Sequence, residues 1–96
     1  MSLDSTHKEQ SMLTLLSNSS WVFVDGLSLY YTADDIMDLF ARFGTVRTVR
    51  LKLDAMGMSL RCAYIEMATH ADAERAILLA NAASRALQAI HTVPPY

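Results

Sequence analysis

The sequence predicts one α+β domain: a four-stranded antiparallel sheet with two helices packed on one of its faces, the elements running β-α-β-β-α-β. Three observations carry this. Three segments alternate apolar and polar residues with a period of two, the mark of strands with two different faces. Two segments between them carry apolar residues at helical spacing, each with a single apolar stripe. The chain of 96 residues, 52% hydrophobic, has room for one core and enough apolar material to fill it. A helix with one apolar stripe covers one face of one sheet, so the second sheet face is left open.

Trp21 to Asp25 is the first strand, with Val22 and Val24 on one face and Trp21, Phe23 and Asp25 on the other. Gly26 to Tyr31 is a loop. Thr32 opens the first helix, because Thr-Ala-Asp-Asp puts an acidic side chain at the third helical position, where it can complete a capping box. Ile36, Leu39, Phe40 and Phe43 form the buried stripe, and Gly44 is the expected C-terminal stop. Val46 to Leu53 is the second strand: Val49, Leu51 and Leu53 face the core, Arg50 and Lys52 face away. A turn at Asp54 to Gly57 leads to the third strand, Arg61 to Met67, in which Ala63, Ile65 and Met67 alternate with Cys62, Tyr64 and Glu66. Thr69 or His70 starts the second helix, buried through Ala73, Ala76, Ile77 and Ala80. The last strand lies within Leu87 to Val93, and two inward pairs fit it equally, Leu87 with Ala89 or Ile90 with Thr92.

The folded domain is expected over residues 20–93. Residues 1–19 form an N-terminal tail whose apolar cluster, Met12, Leu13, Leu15 and Leu16, reads equally as a short docked helix or a frayed end. Residues 94–96 end the chain after Pro94 and Pro95 break the last strand.

Composition excludes several classes. One cysteine, Cys62, gives neither a disulfide framework nor a cysteine metal cluster. No apolar run is long enough to cross a bilayer and no signal peptide opens the chain, so no membrane role is expected. An intracellular protein, nuclear or cytoplasmic, fits best. The three histidines, His7, His70 and His91, are scattered along the sequence and read as surface residues. No glycine-rich phosphate loop or nucleophile–base pairing is visible, so no enzyme activity, cofactor or metal is expected.

The net charge is −2, with eight Lys and Arg against ten Asp and Glu. The distribution matters more than the sum. Arg42, Arg47, Arg50, Lys52 and Arg61 crowd the middle strands, whereas Asp34, Asp35, Asp38, Asp72 and Glu74 lie on the helices. One face can therefore attract phosphate while the molecule stays acidic. Strand alternation collects Trp21, Phe23, Asp25, Cys62, Tyr64 and Glu66 with Arg50 and Lys52 on the open face. Ring faces flanked by cations are what single-stranded nucleic acid requires. Trp21, at the strand edge, fits packing under the tail as well as base contact. Asp25 and Glu66 repel phosphate but accept hydrogen bonds from base amino groups.

These residues resemble a known family, the RNA recognition motif, a ferredoxin-like βαββαβ sandwich. Val22-Phe23-Val24-Asp25-Gly26-Leu27 is similar to its RNP2 motif on the first strand. Leu60 to Met67 is similar to its RNP1 motif on the third. Thr32 to Ile36 with Leu39-Phe40 and Phe43-Gly44 is similar to its first helix, and Asp72-Ala73 with Ala76-Ile77 to its second. The resemblance implies single-stranded RNA on the open sheet, with one base stacked on Phe23 and its neighbour on Tyr64. It also departs from the family pattern. Leu60 stands where a cation usually meets phosphate, and Cys62 where an aromatic ring usually packs on a sugar. Arg61 occupies a usual glycine position; it is a candidate phosphate contact, although alternation points it to the other face.

The expected function is thus non-catalytic binding of single-stranded RNA. The alternative is a protein-interaction domain on the same fold, through the helices, the N-terminal segment or the methionine-bearing loop at Met56 and Met58, with a weak homodimer among the possible partners.

Overall fold

A computed structural model describes residues 18–95. The elements are β1 (Trp21–Asp25), α1 (Ala33–Ala41), β2 (Val46–Leu53), β3 (Ser59–Met67), α2 (His70–Ala83) and β4 (Gln88–Thr92). They form one antiparallel sheet in the order β2-β3-β1-β4. The α+β order expected from the sequence is the order observed. The apolar cluster at Met12, Leu13, Leu15 and Leu16 lies outside the described residues.

Thr32 caps α1 as its sequence requires. Its hydroxyl accepts the Asp35 N–H at 3.2 Å, and the Asp35 carboxylate accepts the Thr32 N–H at 2.9 Å. This satisfies two backbone donors that the first helical turn leaves over. Ile36 and Phe40 are fully buried, with Leu39 and Phe43 half-buried beside them. Burying a side chain such as Phe40 stabilises the fold by about 1.5–3 kcal/mol. The helix stops differently from expectation. It is capped at Arg42 in ordinary right-handed backbone, and Gly44 is not left-handed. Glycine eases packing there: a Cβ on Gly44 would sit 3.1 Å from the Asp72 side chain at the start of α2, which would have to give by a few tenths of an ångström.

Thr69 caps α2 by accepting the Asp72 N–H at 3.0 Å. Its inner face is Ala73, Ala76 and Ala80, all fully buried. Three small side chains let the helix backbone lie close to β1 and β3. They meet Val22 and Val24 from β1 and Ala63, Ile65 and Met67 from β3, which complete the core with Leu27 and Ala89.

Register follows the apolar alternation in β1 and β3, where Val22 pairs with Ile65 and Val24 with Ala63. In β2 the ladder shifts between Leu51 and Leu53. Leu53 therefore leaves the core face on which alternation placed it and is 52% exposed. β3 begins at Ser59, two residues before the expected start.

The ambiguous β4 takes the first of its two registers. Ala89 is buried and Leu87 packs against the core, whereas Ile90 is exposed. Asn81 of α2 supports this register. Its amide accepts the Ala89 N–H at 2.8 Å and donates to the Ala89 carbonyl at 3.0 Å. One side chain thus completes backbone groups that an edge strand would leave unpaired.

Candidate nucleic-acid interface

The helices occupy one side of the sheet, and alternation sends a fixed set of side chains to the other. From β1 come Trp21, Phe23 and Asp25; from β3, Cys62, Tyr64 and Glu66; from β2, Thr48, Arg50 and Lys52. Phe23 and Tyr64 are direct cross-strand partners, and Arg50 stands opposite Tyr64 on the next strand. The two rings lie 5.2 Å apart between centroids with planes tilted by 54°. Both are half-buried. The ammonium of Lys52 sits 5.8 Å from the Tyr64 ring centroid, within cation–π range. Two rings on the central strands and two cations on the neighbouring edge strand therefore share the helix-free face, as alternation places them.

Other expected site residues are placed as follows. Trp21 shares this face but is only 4% exposed, so its ring is not presented to solvent. Asp25 is exposed, yet its carboxylate accepts the Gly26 N–H at 2.8 Å. Glu66 accepts the Thr48 hydroxyl at 3.1 Å across the β2–β3 ladder. Both acids are thereby partly satisfied inside the protein, which lowers their demand for other donors. Cys62 is a free, half-buried thiol beside Tyr64 in the strand pattern.

Arg61 lies away from the rings. Its backbone has φ of 65° and its Nε donates to the Leu27 carbonyl at 2.9 Å, while its own carbonyl accepts the Leu27 N–H at 3.0 Å. The left-handed backbone explains why a glycine position of the family pattern falls here. Gly26, next to Leu27, also has positive φ, 83°, and a Cβ there would lie 1.8 Å from the Ala86 carbonyl oxygen. These contacts close the loop end of the sheet. A groove of about 610 Å³ opens there, lined among others by Gly26, Tyr30, Tyr31, Arg61 and Leu87. Tyr30 is the most exposed of the tyrosines named, at 85%.

Two members of the face were not legible in the sequence. β4 pairs Ile90 with Phe23 and Gln88 with Asp25. Ile90 is 59% exposed and extends the apolar surface of Phe23 to the sheet edge. The signal that would have found them is the β4 register, and that depends on Asn81 from another element.

A second cluster lies on the helix side. His70 and His91, 21 positions apart in sequence, stack at 5.0 Å between ring centroids with planes 17° apart. His70 Nδ1 is 2.8 Å from the Ser19 carbonyl, and its Nε2 is 3.2 Å from Glu74 Oε1. Burial, followed by the neighbouring His70, holds the pKa of His91 below the usual imidazole value, with Glu74 opposing. Neither ring is the freely exposed surface residue expected from the sequence.

Among the described residues no helix is long and apolar enough to cross a membrane. Comparison with known proteins agrees with the architecture. The chain is 37% identical over 65 residues to multiple RNA-binding domain-containing protein 1 of Neurospora crassa, a match covering 68% of this chain and 8% of that protein. It is 35% identical over 69 residues to nuclear cap-binding protein subunit 2 of Danio rerio, covering 70% of this chain and 44% of the relative. The chain thus spans less than half the length of these relatives. Among solved structures, the RNA15 RRM superimposes with a TM-score of 0.74 at 21% identity, covering 79% of this chain and 92% of that one. The RNA recognition motif family model matches residues 22–90, from within β1 to within β4. With the β-α-β-β-α-β order and the central ring pair already in place, the chain belongs to the RNA recognition motif family.

Proposed function

We propose that the open sheet face binds single-stranded RNA without catalysing a reaction, and that residues 20–93 are the binding unit. Bases stack on Phe23 and Tyr64. Arg50 and Lys52 contact phosphate, and Ile90 with Cys62 provides apolar edges for a sugar or base. The observation that carries this reading is the contiguous set of two tilted rings and a lysine ammonium on the helix-free face. Rings supply sequence-tolerant stacking and cations supply phosphate attraction. Asp25 and Glu66, at the ends of the same face, disfavour phosphate and favour base amino groups. Binding is modest in strength and sensitive to salt, because few cations flank the rings.

The test is a titration of the labelled chain with a pool of short single-stranded RNAs, following backbone amide shifts at low and moderate salt. Shifts centred on Phe23, Arg50, Lys52, Tyr64 and Ile90 support the reading. Shifts confined to the helices, or none at low salt, overturn it.

A second reading rests on the β2–β3 hairpin end. Leu53, Met56, Met58 and Leu60 are all exposed there, Met56 at 87%. An apolar, methionine-bearing loop without cations suits a protein surface better than phosphate. The two roles use different regions and are compatible in one domain.

A further inference from the structure

The cluster of His70, Glu74 and His91 brings three metal-ligating side chains together. Each of the three offers a ligand atom, and these atoms all lie within 4.8 Å of one another. The Ser19 carbonyl can only accept a hydrogen bond, so His70 Nδ1, 2.8 Å away, carries a proton. In a neutral imidazole, Nε2 then holds the lone pair. That lone pair faces Glu74 Oε1 at 3.2 Å, which is also an acceptor. Two acceptors at this distance repel unless a proton or a metal cation stands with them.

The surroundings offer a cation more than one donor. The His70 ring is stacked on the second imidazole at 5.0 Å. His91 Nδ1 is buried with no hydrogen-bond partner. A divalent ion takes the lone pairs of both imidazoles and the carboxylate charge together.

We infer that His70, Glu74 and His91 form a site for a divalent transition-metal ion of the Zn²⁺ class. Two imidazole nitrogens and one carboxylate oxygen are a borderline donor set, suited to zinc and its neighbours and not to Mg²⁺ or Ca²⁺, which take oxygen ligands. With metal–ligand bonds of about 2.0–2.2 Å, tetrahedral ligands stand about 3.3 Å apart. His70 Nε2 and Glu74 Oε1 are already at 3.2 Å. The i,i+4 spacing on α2 produces that approach. His91 closes the set by turning out of its stack on His70, so that both ring planes point at the ion. A fourth position would be left for water. The Ser19 carbonyl acts as the outer partner that fixes the His70 tautomer, an arrangement common behind metal-bound imidazoles.

The site would act as a clip. His70 and Glu74 belong to α2 and His91 to β4, and His70 reaches Ser19 just before β1. The Ser19 hydroxyl also bonds the Thr92 carbonyl, next to His91. A bound ion therefore ties together both ends of the folded unit. It lies on the helix side of β4, so it does not compete with the open sheet face.

The test uses the full chain, stripped with a chelator and titrated with Zn²⁺ at neutral pH by calorimetry. Imidazole nitrogen signals are followed by NMR. The expected result is saturation at one ion per chain, with His70 Nε2 and a His91 nitrogen moving to metal-bound shifts and a melting temperature that climbs with free zinc. Glu74→Gln, at a largely exposed helix position, should still fold and weaken zinc binding by about tenfold or more, and His7→Ala should leave it unchanged. Absence of zinc uptake overturns the site. Uptake that leaves the His70 and His91 signals in place, or that Glu74→Gln does not weaken, overturns it too.

Discussion

Phe23 and Tyr64 face each other across the β1–β3 ladder as a tilted pair, 5.2 Å between centroids and 54° between planes. Neither ring lies flat on the other, so each keeps area for a base. Replacing either by Ala is expected to lower affinity for short single-stranded RNA by about 1–3 kcal/mol. Because the rings touch, the double variant should lose less than the sum. Fluorescence anisotropy with a labelled oligonucleotide measures this, with circular dichroism checking that each variant stays folded. Unchanged affinity in both single variants would remove the rings from the binding surface.

Arg50 and Lys52 should act through salt and not through base preference. Plotting log affinity against log salt concentration, Arg50→Ala and Lys52→Ala are each expected to flatten the slope by about 0.7, the contribution of one phosphate contact on a single strand. A variant that weakens binding equally at all salt concentrations would show that its side chain acts by packing, as Lys52 over the Tyr64 ring can.

Gly26 is the position where a single methyl group should cost most. Its backbone is left-handed at 83°, and a Cβ would overlap the Ala86 carbonyl at 1.8 Å. Left-handed backbone costs an L side chain about 1–2 kcal/mol, and overpacking adds about 1–3 kcal/mol. Gly26→Ala should therefore lower stability to urea by about 2–5 kcal/mol. A loss of only about 1–2 kcal/mol, the backbone cost alone, would mean that the segment around Ala86 moves aside freely.

Arg61 sets two effects against each other. Its left-handed backbone is unfavourable, and its bond to the Leu27 carbonyl is favourable. Arg61→Ala keeps the strain and loses the bond, for a cost of about 1 kcal/mol. Arg61→Gly loses the bond and relieves the strain, so it should be the more stable of the two variants in the same urea unfolding experiment. The reverse order would assign the cost at this position to something other than backbone conformation. If Arg61 also reaches RNA, both variants should weaken binding alike, which separates that role from stability.

The sequence by itself determined the element order, the face that each residue of β1 and β3 occupies, and the two helical stripes. These depend on periodicity, and a period of two or 3.6 is a local property that the fold has no reason to override when one face is buried. Thr32 and Asp35 declare the start of α1 for the same reason, since a capping box closes within four residues. Phe23, Tyr64, Arg50 and Lys52 were legible as one patch because the apolar alternation of β1, β2 and β3 turns all four to the same face.

The tertiary structure decided what depends on groups distant in sequence. Both registers of β4 satisfied the local pattern, and pairing with β1, core packing of Leu87 and Ala89, and the Asn81 amide bonded to both backbone groups of Ala89 go with the one that turns Ile90 and Gln88 onto the open face. Leu53 fits its strand's alternation yet leaves the core, because the β2–β3 ladder shifts after Leu51. Trp21 shares the face of Phe23 but is buried, a difference that alternation cannot express. His70 and His91 stand 21 residues apart and meet only because α2 packs beside β4, which creates a donor set that no spacing motif announces. Periodicity fixes which way a side chain points; contact with a particular partner requires the chain to close on itself, and that closure is a property of the whole fold.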